Sequence, residues 1–426
     1  MKHKKGLIVF TALFTVVVFF AIFLMIWFWG DSYDDFNDST FREEVDIPGL
    51  KEGACPQGLA MVSHTYYNGK GEIEYVTDGD GKLTEQPKTQ DYYLVSAYFK
   101  DKPSRIYVTG KQSGYLGYIT VSYGGKEFYG HVGGVATNGT VIWLGSEGKV
   151  YVAKRSNTDY TNVVDEIIKK CINKETFEFT KDFDINGNAS FVSYYKAADS
   201  STERLYVGEF YRKGNYETDK SHHITLPDGT IHRAFMYEYN VSSSTDYGLS
   251  TISDNGNVSN IVPKVQKIFS IPERIQGVAR VSGNSNERGD TLILSQSYGL
   301  VNSEIMLYDF SSIENSVNRV SFSSLNEKGF GFEYPGVTTN FGNPYRDSSV
   351  YVYYVYGNRN SKTTDSKGNK IYPSFYRSYS IPSMSEGLAV SASGRVNILF
   401  ESASSKYKIF VRQPIDKIYS FMPSKR

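Results

Sequence analysis

Three short strings set an amide or a carboxylate directly before a glycine at the opening of an apolar run: Pro56-Gln57-Gly58-Leu59, Ile275-Gln276-Gly277-Val278 and Ser385-Glu386-Gly387-Leu388. A second set closes apolar runs on a polar group, with Glu209 after Leu205-Tyr206-Val207-Gly208, Gln296 after Leu292 to Ser295, and Glu401 after Asn397 to Phe400. Brought together, Glu209, Glu386 and Glu401 could hold a hard cation, since calcium takes carboxylate, amide and carbonyl oxygens. Two of the three could instead work as acid and base, one carboxyl held protonated by its neighbour. For a glycosidase the pair would stand about 5–5.5 Å apart in a retaining enzyme and about 6.5–9.5 Å in an inverting one. The same groups could also bind a ligand, or satisfy one another by hydrogen bonds. His131 precedes a further apolar run and reads as an orienting hydrogen-bond group. No Gly-x-Ser-x-Gly elbow accompanies it to make it a nucleophile's base.

The elements that must position these groups repeat. An apolar run opened by a polar–glycine pair, a gap and a second run closed by a polar pair recur five times. The copies begin at Pro56, His131, Ala189, Ile275 and Ile381, and their second runs begin at Leu94, Ile142, Leu205, Leu292 and Asn397. Diverged copies of a two-strand unit over one chain signal a repeat architecture, and strands without helical periodicity between them point to a five-bladed β-propeller. Aligned on the glycine, the first-strand row is Gln57, Gly133, Ala189, Gln276 and Glu386. The second-strand row is Ala97, Ser146, Glu209, Gln296 and Glu401. Both rows fall at the same mouth of the central channel, which makes that mouth the candidate site.

Third strands follow at 105–109, 150–153, 234–239, 304–309 and 417–421. The last copy then stops, while the stretch around Val45 to Pro48 is a spare strand, so the ring is expected to close by pairing the two. Residues 311–376 contain the strand-like run 349–356, and a sixth blade built from them is the alternative. Between 159 and 174 the spacing of Val163, Val164, Ile167, Ile168 and Cys171 predicts a helix on the outside. Residues 211–233 and 242–262 read as loops, and Asp78-Gly-Asp-Gly81 as a hairpin turn, lacking the closing Glu of a calcium loop.

Lys plus Arg and Asp plus Glu both number 46, so no global field recruits nucleic acid. The 35 tyrosines and 26 phenylalanines suit pleated strands, and also a sugar- or protein-binding surface. Cys55 and Cys171 are the two cysteines, either bridged or buried as free thiols. Four Asn-x-Ser/Thr sequons, at Asn138, Asn188, Asn240 and Asn257, are of the kind a Ser/Asn-rich chain shows by chance.

Residues 1–5 are basic and Leu7 to Trp29 carry no charge, a length of about 35 Å as helix, enough to span a bilayer. Aspartates at 31, 34, 35 and 38 follow. The expectation is an uncleaved signal-anchor with a cytoplasmic N-terminus, an acidic tether over 30–41 and an extracellular domain over 42–426. A cleaved signal peptide is the alternative.

The strings Pro56-Gln-Gly-Leu-Ala60, His131-Val-Gly-Gly134, Leu205-Tyr-Val-Gly-Glu-Phe210, Ile275-Gln-Gly277, Leu294-Ser-Gln-Ser-Tyr-Gly299, Ser383-Met-Ser-Glu-Gly387 and Leu399-Phe-Glu-Ser-Ala403 resemble those of an uncharacterised propeller family. Its members are secreted or membrane-anchored proteins of Gram-positive bacteria. The resemblance covers about residues 50–421 and implies the fold, without an activity. Where that family often has a basic residue after Ser-Tyr-Gly, this chain has Leu300, which speaks against an anionic ligand. A more distant likeness, of shape alone, is to gluconolactonase-like and five-bladed glycosidase propellers. The functional expectation is a cell-surface module binding a glycan, a peptide or an envelope protein through the mouth. The alternative is a surface glycosidase or lactonase using two of Glu209, Glu386 and Glu401.

Overall fold

The computed structural model describes residues 14–15, 17–21, 33, 36, 40–66, 72–155, 162–199, 201–254, 257–283, 289–321, 325, 350–358, 361 and 363–423. Five antiparallel sheets stand around a common axis. From the axis outward, blade 1 is Cys55–Thr65, Thr89–Tyr98, Arg105–Gly110 and Gly114–Tyr123. Blade 2 is Gly134–Thr137, Val141–Ser146, Lys149–Lys154 and Lys181–Asp184. Blade 3 is Phe191–Lys196, Glu203–Gly208, Ala234–Asn240 and Val265–Ile271, and blade 4 is Ile275–Val281, Thr291–Gln296, Ser303–Asp309 and Phe375–Ile381. Blade 5 is Ser385–Val390, Val396–Phe400 and Lys417–Phe421, completed by Phe41–Asp46 from the other end of the sequence.

The closure is therefore the expected one, carried by residues slightly upstream of Val45 to Pro48. Phe41 lies opposite Phe421, Glu43 opposite Tyr419 and Asp46 opposite Lys417. Packing begins earlier still. Tyr33 and Phe36, inside the expected tether, are buried, and the Phe36 ring lies 4.6 Å from that of Tyr419. Of the expected membrane span, only 14, 15 and 17–21 are described, and they are helical. The rest of 7–29 lies outside the described residues. Among the described residues no helix is long and apolar enough to cross a membrane.

The insertion after blade 4's third strand does not make a sixth blade. Its strand Tyr351–Tyr354 runs parallel to Val265–Ile271, with Ile268 opposite Val352, and so widens blade 3. Arg319–Ser321 then adds outside it. Val352 and Tyr356 join the core between blades 2 and 3, where a half-buried insertion finds more apolar surface to cover than it would alone. The stretches read as loops carry small hairpins of their own, Ile224–Thr225 with Ile231–His232 and Thr251–Asp254 with Asn257–Pro263.

The expected helix spans Val163–Asn173. A capping box opens it, the Asn162 side chain accepting from the Asp165 amide and the Asp165 carboxylate accepting from that of Asn162. Val163, Val164, Ile167 and Cys171 turn inward onto blade 1. Cys55 and Cys171 lie in the same core, both free. Asn162→Ala should lower the stability of the domain by about 1 kcal/mol, read from the urea midpoint.

The recurring glycines have a steric cause. A Cβ on Gly58 would sit 2.6 Å from the Val135 amide nitrogen, and one on Gly134 would sit 2.1 Å from that of Val192. One on Gly277 would meet the Glu386 carbonyl oxygen at 2.6 Å, and one on Gly387 the Leu59 amide nitrogen at 2.6 Å. Backbone thus meets backbone from blade to blade, and the axis narrows to a neck that only glycine permits. Beyond the neck lies a cavity of about 40 Å³, lined by Leu59, Met61, Val135, Thr137, Leu388 and Val390 among others.

Candidate functional site

On the other side of the neck stand the polar residues that precede these glycines. In blades 1, 4 and 5 the register shifts at this point, between Pro56 and Gly58, between Ile275 and Gly277, and between Ser385 and Leu388. Gln57, Gln276 and Glu386 therefore sit in β-bulges, which leave a residue out of the ladder and re-aim its side chain. Here the three are aimed at a common neighbourhood.

Four of the sequence-derived residues form two hydrogen-bonded pairs. The Gln276 amide donates to Glu386 Oε1 at 3.4 Å, and the Gln57 amide donates to Glu401 Oε2 at 3.0 Å. The two pairs cross two seams, from blade 4 to blade 5 and from blade 5 to blade 1. Burial, then the neighbouring Glu401 charge, pushes the Glu386 carboxyl well above the ordinary carboxylate range. Burial pushes Glu401 up to about 7, less than its partner because the Lys406 ammonium and the donors from Glu386 and Gln57 oppose the shift. Two like carboxyls side by side cannot both be charged without cost.

Around this pair the structure adds groups that the repeat pattern did not single out. Cys55, opposite Tyr98 in blade 1, is buried with its thiol pushed up by desolvation and then by Glu401. Lys406 Nζ donates to the Tyr98 hydroxyl at 2.9 Å. His131 lays its ring on Tyr98, centroids 4.0 Å apart, and burial followed by the Lys406 charge holds its imidazole below the ordinary pKa. Tyr98 ends the second strand of blade 1, opposite Cys55. Lys406 stands in the 401–416 loop, whose course no periodicity reports.

Two sequence-derived residues stand apart. The Gln296 amide turns back to the Glu273 carbonyl oxygen at 2.8 Å. Glu209 is buried, its Oε2 taking His222 Nδ1 at 2.8 Å and the Phe235 amide at 2.9 Å. The calcium expectation required Glu209 beside Glu386 and Glu401, and that arrangement is not formed. Among the described residues no three His, Cys, Asp or Glu side chains come together to hold a metal ion. The pairing of Glu209 with His222 was unreadable because twelve residues lie between them in the sequence.

No family model matches the chain, and no curated protein matches it. Among solved structures the chain is similar to the Dos1 propeller at 8% identity and a TM-score of 0.28, covering 91% of this chain and 74% of that one. It is similar to BBS1N in its complex with ARL6DN at 10% identity and a TM-score of 0.28, covering 91% and 98%. A putative oxidoreductase (glucose dehydrogenase) from Thermus thermophilus aligns at 12% identity and a TM-score of 0.34, covering 90% and 99%. Likeness this slight carries no argument about function. The fold is the one that the sequence resemblance implies, and the comparisons name no family for the chain.

Proposed function

We propose that the protein is a membrane-anchored binding module, its propeller outside the cell, engaging a protein partner through the mouth and its surrounding loops. The observation that carries this reading is the set of exposed apolar side chains, Leu300, Val301, Ile409 and Phe410, on the two loops beside the mouth. Behind the Glu386 and Glu401 carboxyls the glycines bring backbone against backbone. The polar floor of the mouth is Gln57, Gln276, Glu386 and Glu401.

The loops around that floor suit a protein surface. On adjacent blades, residues 297–302 and 401–416 lead from second to third strand at the mouth, and they present Leu300 (54% exposed), Val301 (61%), Ile409 (71%) and Phe410 (53%). Exposed apolar side chains near a polar centre mark interaction sites. In the closing strand Phe41 lies at the end of blade 5 away from the mouth, and Asp46 lies at its mouth end.

A photoreactive residue placed at 410, in the full chain on intact cells, should give a discrete adduct that Leu300→Asp with Val301→Asp abolishes. The same probe at Leu83, in a hairpin on the side away from the mouth, should not give that adduct. A panel of chromogenic glycosides and lactones should remain uncleaved. Turnover lost in Glu386→Gln would replace this reading with the hydrolase, and protection of the domain from protease added outside would overturn the orientation.

A further inference from the structure

Blade 1 carries an element that belongs to no blade. Tyr75–Thr77 and Leu83–Pro87 form a two-stranded sheet of their own, beyond the ends of the inner and second strands and on the side away from the mouth. A hairpin of two strands is marginal in water unless one of its faces is covered. We propose that one face of this hairpin lies on the phospholipid surface of the bilayer that carries the chain's own N-terminal span. The inference rests on the anchored reading given above.

The pairing sets the two faces of the hairpin apart. Tyr75 stands opposite Pro87 and Thr77 opposite Leu83, so these four share a face, and Ile73, two residues before Tyr75, joins them. Tyr75 is 40% exposed and Leu83 67%. The other face carries Glu74 and Lys88, whose Oε2 and Nζ lie 3.1 Å apart, with Val76 beside them. At the turn Asp78 Oδ1 accepts from the amides of Asp80 and Lys82, and both aspartates are exposed. A charged tip is costly in hydrocarbon, so the hairpin lies flat at the headgroup boundary, as amphipathic elements do. Tyr75 suits that boundary, with an apolar ring and a polar tip.

The length of chain leading into the domain argues for this occupant. Tyr33 is buried and the Phe36 ring lies 5.2 Å from that of Phe41, so the chain is part of the propeller from Tyr33 onward. Residues 30–32 lie between Tyr33 and the end of the expected span at Trp29, a reach of at most about 14 Å. The bilayer surface therefore stands close to blade 5. Phe41 lies at the end of blade 5 away from the mouth, and the hairpin projects on that same side from blade 1, the next blade in the ring. A second copy of the hairpin is a poorer cover. Glu72, Glu74, Asp78, Asp80 and Glu85 outnumber Lys82 and Lys88 along it, so two copies would bring like charges together.

The full chain in phosphatidylcholine vesicles tests the docking, with Thr77→Cys carrying a nitrobenzoxadiazole dye. Thr77 shares the apolar face and leaves Tyr75 and Leu83 in place, and Cys55 and Cys171 are buried away from the label. Lipids with a nitroxide on the headgroup should quench the dye at 77, while the same dye at Phe410→Cys should stay bright. Tyr75→Asp with Leu83→Asp should restore the emission at 77. Quenching of Trp27 and Trp29 by brominated lipids reads the span itself in the same vesicles. A bright dye at 77 beside quenched tryptophans would overturn the docking and leave the anchor standing. Tryptophans without quenching would overturn the anchor and the docking together. A dye shielded from the nitroxide, and exposed when the protein is diluted among vesicles, would assign the face to a second copy and overturn the lipid contact.

Discussion

Gly134→Ala is expected to cost at least about 3 kcal/mol, at or beyond the upper end of ordinary overpacking, and to open the centre of the propeller. The new Cβ would stand 2.1 Å from the Val192 amide nitrogen and 2.8 and 2.9 Å from the Phe191 carbonyl carbon and Cα. A side chain in that position could rotate away, but backbone inside a paired strand cannot. The inner strand of blade 3 must shift, and its own ladder to Glu203–Gly208 must shift with it. The disturbance travels in both directions, because Gly58 abuts Gly134 from the other side. Gly79→Ala is the matched control. It adds the same methyl where nothing lies within 4 Å, and its effect should stay within about 0.5 kcal/mol. Urea denaturation of the two variants decides the matter. An unchanged midpoint for Gly134→Ala would mean that the neck is not as tight as described.

These glycines also show what the sequence made legible and what it did not. The polar–glycine pair was visible as a repeat, and the repeat disclosed five blades and their common mouth. Its meaning was split, though. The glycine is there for steric reasons at the neck, while the polar residue before it is re-aimed by a bulge, and neither effect is written in apolar periodicity. In blade 5 the bulge set Glu386 beside Glu401, as an alignment of strand ends could suggest. In blade 3 the equivalent second-strand position, Glu209, was captured by His222 from a loop. In blade 4 Gln296 was drawn to a neighbouring carbonyl oxygen. Equivalence along strands placed the backbones correctly. The side chains then followed the nearest unsatisfied partner, and those partners stand in loops that carry no repeat. The same limit hid the fate of residues 349–356, since strand composition shows that a segment pairs and not which edge it joins.

Removing residues 417–426 should abolish cooperative folding of the entire domain. Lys417–Phe421 lies between Val396–Phe400 and Phe41–Asp46, so its loss strips the closing strand of its partner as well. Ile418 and Phe421 are fully buried, each contributing about 1.5–3 kcal/mol by burial alone. With the ladder on both sides added, the loss reaches the roughly 5–15 kcal/mol that an entire domain commonly has. The Arg395 guanidinium, which donates from Nη2 to the Ser420 carbonyl oxygen at 3.1 Å, would lose that partner too. The remaining blade would expose the edge of Val396–Phe400, a buried strand that is apolar apart from Asn397, and a ready site for aggregation. Removal of residues 423–426 alone leaves the paired strand intact and should melt as the full chain does. The informative measurement is a thermal melt followed by far-ultraviolet dichroism on the two truncations side by side. A sharp transition at the full-length temperature after loss of 417–426 would mean that blade 5 does not couple the ring.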